Sequence, residues 1–330
     1  MSPAPVVGVD VGGTKVAALV VERDPSGAPG RLLCRTERAM AGGDPGAGVA
    51  RIADTIREAI GLAGLSLAAI EGVGVGVPGQ VDAEAGIVEH AVNLDWTGVG
   101  LRDLLVAELG IPCSVENDVR VAAAGLAQGL EAPANLAYLA VGTGIGAGIV
   151  IDGRLHRGPR GMAGEVGHVI LEPDGEFCAC GLRGCLETIA SGPAVARSAR
   201  ERLAAGRRSV LDPQAITTEA VYRASAAGDG VAMEVVGRAG RALARAIHTL
   251  VMTCDLERVY LGGGVARAGD AFLGPVQAEL DVLRSMSPLT NRQITRDTIV
   301  LLPRDYDAVA RGAAALAGLA ALSGAPAHAR

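Results

Sequence analysis

The chain is 330 residues long, 49% apolar and 20% charged, with a formal net charge of -6 and a pI near 5.5. That length allows two domains with separate cores, and the composition is that of a globular chain rather than a disordered one. The acidic balance argues against wholesale nucleic-acid binding and the apolar runs are too short for a membrane span; with no charged leader in MSPAPVVGVD, a cytoplasmic protein is expected.

The first element, VVGVDVGGTKVAALVVERD, reads as two strands joined by a Gly12-Gly13 turn, with Val7, Val9 and Val11 on one face. It is a hairpin and not a strand-to-helix phosphate loop, because Gly-x-x-x-x-Gly-Lys-Ser/Thr is missing. Glycines in such a turn expose backbone N–H groups that can wrap a phosphate. Asp10 could then reach a magnesium ion through water, and Thr14 and Lys15 would add a hydroxyl and a cation. Lys15 is the only lysine in the chain. An ordinary tight hairpin with a surface lysine fits the motif in isolation equally well.

Helical spacing of Val49, Ile52, Ile56 and Ile60 predicts a helix, followed by a strand in AAIEGVGVGVP and then a loop. LRDLLVAELG predicts a second helix through Leu101, Leu104, Leu105 and Leu109, stopped by Gly110. PCSVENDVRVAAAGLAQG runs from a strand into a helix opened by Asn117 and Asp118, where Asp118 would serve as an N-cap if nothing else. NLAYLAVGTGIGAGIVIDGRL is a second strand–glycine turn–strand unit, with Thr143 and Gly144 in its turn, and the repetition suggests a duplicated fold. GVGVPG and GTGIGA mimic a dinucleotide fingerprint, but neither opens a helix, so that reading fails.

The next stretch, GEVGHVILEPDGEFCACGLRGCLE, packs Cys178, Cys180 and Cys185 into eight residues. Cys178 and Cys180 are too close to bridge each other without strain, and the redox spacing Cys-x-x-Cys is absent. With His168 they form a Cys₃His set typical of a closed structural zinc site. A core histidine with idle thiols is the plainer alternative. Cys34, Cys113 and Cys254 are scattered singly and read as buried free thiols. Beyond residue 187 the chain turns mainly helical. The long pattern AMEVVGRAGRALARAIHTLVMTCD leads into strand RVYLGGGVARAG, and a last helix covers YDAVARGAAALAGLAAL. The alternation is α/β.

DVGGTK, ENDVRVAAAGLAQG, GTGIGAGIVIDG and the cysteine stretch, in that order, resemble the ROK family of repressors, open reading frames and kinases. The resemblance implies the two-lobed actin/hexokinase-like ATPase fold, built from duplicated RNase H-like domains with a zinc-pinned loop at 164–187. It places the small lobe at 1–117, joined by a helix at about 306–330, and the large lobe at 118–305. It implies ATP-dependent phosphorylation of a hexose at its 6-hydroxyl, with Asp118 as catalytic base. Gly79, Asn93, Asn117, Glu165, His168 and Glu187 would contact the sugar. Gly12, Gly13, Thr14, Lys15, Thr143, Gly144, Gly262, Gly263 and Gly264 would contact the nucleotide, with Asp10 beside its Mg2+. Zn2+ would sit on His168, Cys178, Cys180 and Cys185, with the second ring nitrogen of His168 facing the sugar. Glucose is the expected substrate; N-acetylmannosamine and N-acetylglucosamine are the alternatives, and polyphosphate is an alternative donor. Relatives are usually dimers or tetramers, so a homo-oligomer is expected. A sugar-sensing regulator would carry a helix-turn-helix before the first phosphate loop, and Asp10 lies too early for one.

Overall fold

The computed structural model describes residues 4–24, 29–40, 43–129 and 132–323. The chain divides into two compact units. The first comprises Met1–Ala132, Gly153–Ala163 and Asp307–Arg330; the second comprises Pro133–Asp152 and Gly164–Tyr306. The first unit therefore runs past residue 117, takes in the helix that Asp118 opens, and reclaims a short strap, Gly153–Ala163, from the middle of the chain.

In the first unit, β1 (Val6–Val11), β2 (Lys15–Arg23) and β3 (Pro29–Ala39) form an antiparallel meander. α1 (Pro45–Leu62) follows, its N-terminus capped by Asp44, and Val49, Ile52, Ile56 and Ile60 are all buried as their spacing predicts. β4 (Val73–Val77) joins β1 in parallel. The strand expected over AAIEGVGVGVP is thus shorter, because Leu67–Ala69 turns as a 3-10 helix. Residues 80–99 do not form a loop. They make a small antiparallel sheet of β5 (Gln80–Asp82), β6 (Ile87–Ala91) and β7 (Trp96–Val99). These strands are short and mix polar with apolar residues, so their periodicity is too weak to read. α2 (Leu101–Leu109) buries Leu101, Leu105 and Leu109 but leaves Leu104 at 45% exposure, narrowing the predicted stripe to an i, i+4 seam. β8 (Cys113–Asn117) completes the main sheet in the order β3-β2-β1-β4-β8 and runs directly into α3 (Asp118–Leu126).

The chain then enters the second unit with the hairpin β9 (Leu136–Val141) and β10 (Ile145–Ile151). β11 (Arg154–Leu155) opens the strap of the first unit. The second unit continues through α4 (Leu186–Ala190), α5 (Gly192–Ala204), α6 (Thr218–Ala226) and α7 (Gly230–Cys254) to β12 (Arg258–Gly262). α8 (Asp270–Met286), α9 (Pro288–Gln293) and β13 (Ile299–Leu301) follow. Strands run in the order β10-β9-β12-β13, an antiparallel hairpin extended by two parallel strands. That is the plan of β2-β1-β4-β8 in the first unit, so the two glycine-turn hairpins head like-ordered sheets.

The last helix, α10 (Ala308–Ser323), belongs to the first unit and packs on β1 and β4. Its close approach explains two strand glycines. A Cβ at Gly8 would lie 1.9 Å from the Ala310 carbonyl oxygen, and one at Gly74 would lie 1.8 Å from that of Ala313. One core of the first unit fills the face carrying Val7, Val9 and Val11 against α1 and α2, while Val6, Leu19 and Val21 meet α10 on the other face. The second unit has its own core around α7 and the β9-β12 pair. Among the described residues no helix is long and apolar enough to cross a membrane.

Candidate active site

In the first unit the site is built where β8 ends. Asn117 has extended backbone and caps α3: its Oδ1 accepts the Arg120 N–H at 3.2 Å. Its Nδ2 donates to the Gly79 carbonyl and to Asp118 Oδ1, both at 3.0 Å. The Asn117 side chain therefore serves as cap and bracket, with both Nδ2 hydrogens used and one Oδ1 lone pair left to accept a further donor. Gly79 holds φ +94°, and a Cβ there would lie 2.2 Å from the His90 carbonyl oxygen, so only glycine fits.

Asp118 Oδ1 also accepts the Val119 N–H at 2.9 Å. Among the described residues nothing hydrogen-bonds its Oδ2. Burial raises the Asp118 carboxyl above its ordinary value, against the opposite pull of the Val119 amide, Asn117 and the Arg120 charge. This is the environment of a carboxylate poised to take a proton.

Asp10, at the end of β1, is more strongly perturbed. It keeps a little surface, yet it is deeply surrounded by protein. Burial first, then the charges of Asp307 and Asp118, push it up to about 8, although Lys15 and Arg35 pull it down. The negative charges of Asp307 and Asp118 thus oppose the ionisation of Asp10, and a divalent cation beside Asp10 would offset that repulsion. Asp307 was not legible as a site residue; it precedes α10 and reaches Asp10 only through the fold. Arg35 Nε holds Asp307 at 3.4 Å.

The Gly12-Gly13 turn closes through a Gly12 N–H bond to the Lys15 carbonyl at 2.8 Å. Gly13 lies close to Asn93, since a Cβ would come within 2.7 Å of the Asn93 carbonyl oxygen. Lys15 Nζ pairs with Glu37 at 3.0 Å on the surface, and Glu37 also takes Arg35 at 2.9 Å. Thr14 is exposed at the tip of the turn.

In the second unit the β9–β10 turn borders a cavity of about 620 Å³, lined by Gly142, Thr143 and Gly264. The remaining walls come from the start of α5 at Gly192 and Pro193, from Thr218, Tyr222 and Arg223 on α6, and from Arg267 and Arg304. That volume suits a nucleotide. The α5 and α6 walls lacked any sequence signal, because their residues are ordinary for surface helices. Gly262 and Gly263 lie behind the cavity. A Cβ on the first would strike Tyr138, and one on the second would strike the Val141 backbone, so both serve close packing. Gly144 backs onto Glu187, whose Oε2 accepts the Ile145 N–H at 2.8 Å. Glu187, in the first turn of α4, thus ties the glycine turn to the cysteine loop. Glu165 is exposed just before the short turn carrying His168.

His168, Cys178, Cys180 and Cys185 place their ligand atoms within 4.8 Å of one another. Tetrahedral zinc with ordinary bond lengths requires sulfur–sulfur edges of about 3.8 Å and nitrogen–sulfur edges of about 3.6 Å. Cys180 and Cys185 sulfurs lie 3.7 Å apart, and Cys178 Sγ lies 3.5 Å from His168 Nδ1. The cluster fits such an ion. Because Nδ1 faces the thiols, Nε2 points away from them.

Fold and site together define a two-unit α/β protein whose units share one strand plan, one with a carboxylate cluster and one with a glycine-lined cavity. The ROK family model matches residues 6–319, and the chain belongs to that family. A glucokinase of Halalkalibacterium halodurans is 35% identical over 286 residues, covering 83% of this chain and 84% of the relative. A kanosamine kinase of Amycolatopsis mediterranei is 33% identical over 331 residues, covering 97% and 98%. Among solved structures, a ROK family glucokinase from Streptomyces griseus in complex with glucose and AMPPNP has a TM-score of 0.77. It is 31% identical, with 95% of this chain and 99% of that one covered.

Proposed function

We propose that the protein is an ATP-dependent sugar kinase that phosphorylates the 6-hydroxyl of a hexose, with glucose as the preferred substrate. The observation that carries this reading is Asp118: a buried carboxylate with raised proton affinity, one oxygen fixed by Asn117 and Val119, the other uncommitted. The sugar hydroxyl gives its proton to Asp118 Oδ2, and its oxygen attacks the γ-phosphorus. The bond from that phosphorus to the bridging oxygen then breaks, and ADP leaves. Thr143 and the backbone of the Gly142 turn cradle the phosphates beside the cavity. The Gly12-Gly13 turn, Thr14 and Lys15 serve the same phosphates, and Lys15 must leave Glu37 to do so. Mg2+ supplies charge stabilisation when bound, and Asp10 would hold it through water.

On the sugar side, Gly79, Asn93 and Asn117 act in the first unit, and Glu165, His168 Nε2 and Glu187 Oε1 in the second. Zn2+ would be held by His168, Cys178, Cys180 and Cys185 as a closed structural site that fixes the tautomer and direction of His168. Glucose is favoured by the glucokinase relatives. An amino-sugar reading is favoured by the kanosamine kinase, which aligns with nearly the whole chain. ADP release across glucose, kanosamine, N-acetylglucosamine, N-acetylmannosamine, fructose and allose separates them. The highest kcat/KM is expected for glucose; no turnover with any sugar would overturn the kinase reading. Polyphosphate in place of ATP tests the donor.

A further inference from the structure

Two buried charges bracket Asp118, and the chemistry above uses neither. Glu116, at the end of β8, is 1% exposed and Arg120, in the first turn of α3, is 3% exposed. Arg120 Nη1 makes no hydrogen bond among the described residues and lies 3.6 Å from Glu116 Oε1. Its Nη2 donates to the carbonyl of Gly161 in the strap. The strap sends back Arg157, whose Nε donates to Glu116 Oε2 at 2.7 Å. Glu116 Oε1 accepts the Asn117 N–H at 2.9 Å, and Asn117 in turn donates to Asp118 Oδ1. A continuous hydrogen-bonded chain therefore runs from Arg157 through Glu116 and Asn117 to Asp118.

Burying this much charge stabilises a fold poorly, since apolar side chains of the same volume often do as well or better. What the charges provide is direction. A glutamate that bonds the next residue's amide must hold one rotamer, and the two arginines hold it. Arg120 also places a positive charge that favours the ionised form of Asp118.

We propose that Glu116, Arg120 and Arg157 form a positioning triad for the base, in which the strap 153–163 locks the orientation of the Asn117-Asp118 pair. This rests on Asp118 being the base. The triad touches neither sugar nor nucleotide in this account, so its loss acts on kcat while leaving nucleotide binding alone.

The test is steady-state kinetics on Arg120→Met, Arg120→Lys and Arg157→Gln, with active-site titration to count folded enzyme. Arg120→Met is expected to lower kcat per active site by about 10–100-fold, with the KM for ATP changed less than about twofold. Arg120→Lys should recover part of that loss. Arg157 is 45% exposed, so Arg157→Gln folds readily, and kcat should fall by about 3–10-fold. If Arg120→Met does not fold, Arg157→Gln decides alone. Wild-type kcat per active site in Arg157→Gln, or losses confined to Tm or to the KM for ATP, would overturn the triad. Asp118→Asn separates the two claims. If it is inactive while the triad variants turn over normally, only the triad fails; if it is active, the base assignment itself fails.

Discussion

Replacing Asp10 by asparagine should stabilise the protein, and increasingly so as pH rises. Below about 4 the carboxyl is protonated in both folded and unfolded chains, so wild type and variant differ little. Between its ordinary value of 3.8 and the folded value of about 8, the folded chain keeps a proton that the unfolded chain has released. Stability of the wild type then falls by about 1.4 kcal/mol per pH unit. Over roughly four units the upper bound is ~6 kcal/mol. Relaxation around a side chain that keeps some surface reduces this to ~2 kcal/mol, or roughly 4–8 °C in apparent Tm. The assay is thermal unfolding of wild type and Asp10→Asn in magnesium-free buffer from pH 4.5 to 8.5. The gain should be small at the acid end, grow through neutrality and level off above 8. Added Mg2+ should raise the Tm of the wild type at pH 8 and leave the variant unmoved, because the ion relieves the repulsion that the substitution has already removed. No gain at pH 8, or a gain independent of pH, would refute the account of Asp10 as a carboxylate held against its neighbours.

Metal analysis of purified protein should find about one zinc per chain, and Cys178→Ser should lose it and raise the KM for sugar more than that for ATP. Zinc absent from active enzyme would remove the structural-metal assignment. Gly74→Ala should cost about 1–3 kcal/mol in denaturant unfolding, because the new methyl meets the Ala313 carbonyl and α10 must shift. An unchanged midpoint would mean that α10 packs differently.

Much of the candidate site was legible because its residues sit in short, ordered motifs. The two glycine turns, the Asn117-Asp118 pair and the Cys₃His spacing are each set by local sequence, and local sequence dictates their backbone. What stayed hidden depends on contacts across long stretches of chain. Asp307 reaches Asp10 from 297 positions away, and its surroundings in LLPRDYDAV carry no motif. Arg157 meets Glu116 across 41 residues through a strap that gives no periodic signal. The β5-β6-β7 sheet was missed because its side chains are half polar, and Leu104 was placed inside because four leucines in nine residues overfill a single stripe. Glycines offered a second lesson. Gly262 and Gly263 drew notice as a turn near the nucleotide, and the structure gives them a packing reason as well, since Tyr138 and the Val141 backbone leave no room for a Cβ.

The central claim is that Asp118 takes the proton of the attacking sugar hydroxyl. Asp118→Asn keeps the shape of the side chain and its bonds to Asn117 and Val119 but removes the base. Measuring ADP release and glucose binding on the same preparation tests this directly. The account predicts a loss of kcat of at least about 10²–10⁴-fold with glucose affinity nearly unchanged. A variant that binds glucose and turns over at near-normal rate would contradict it.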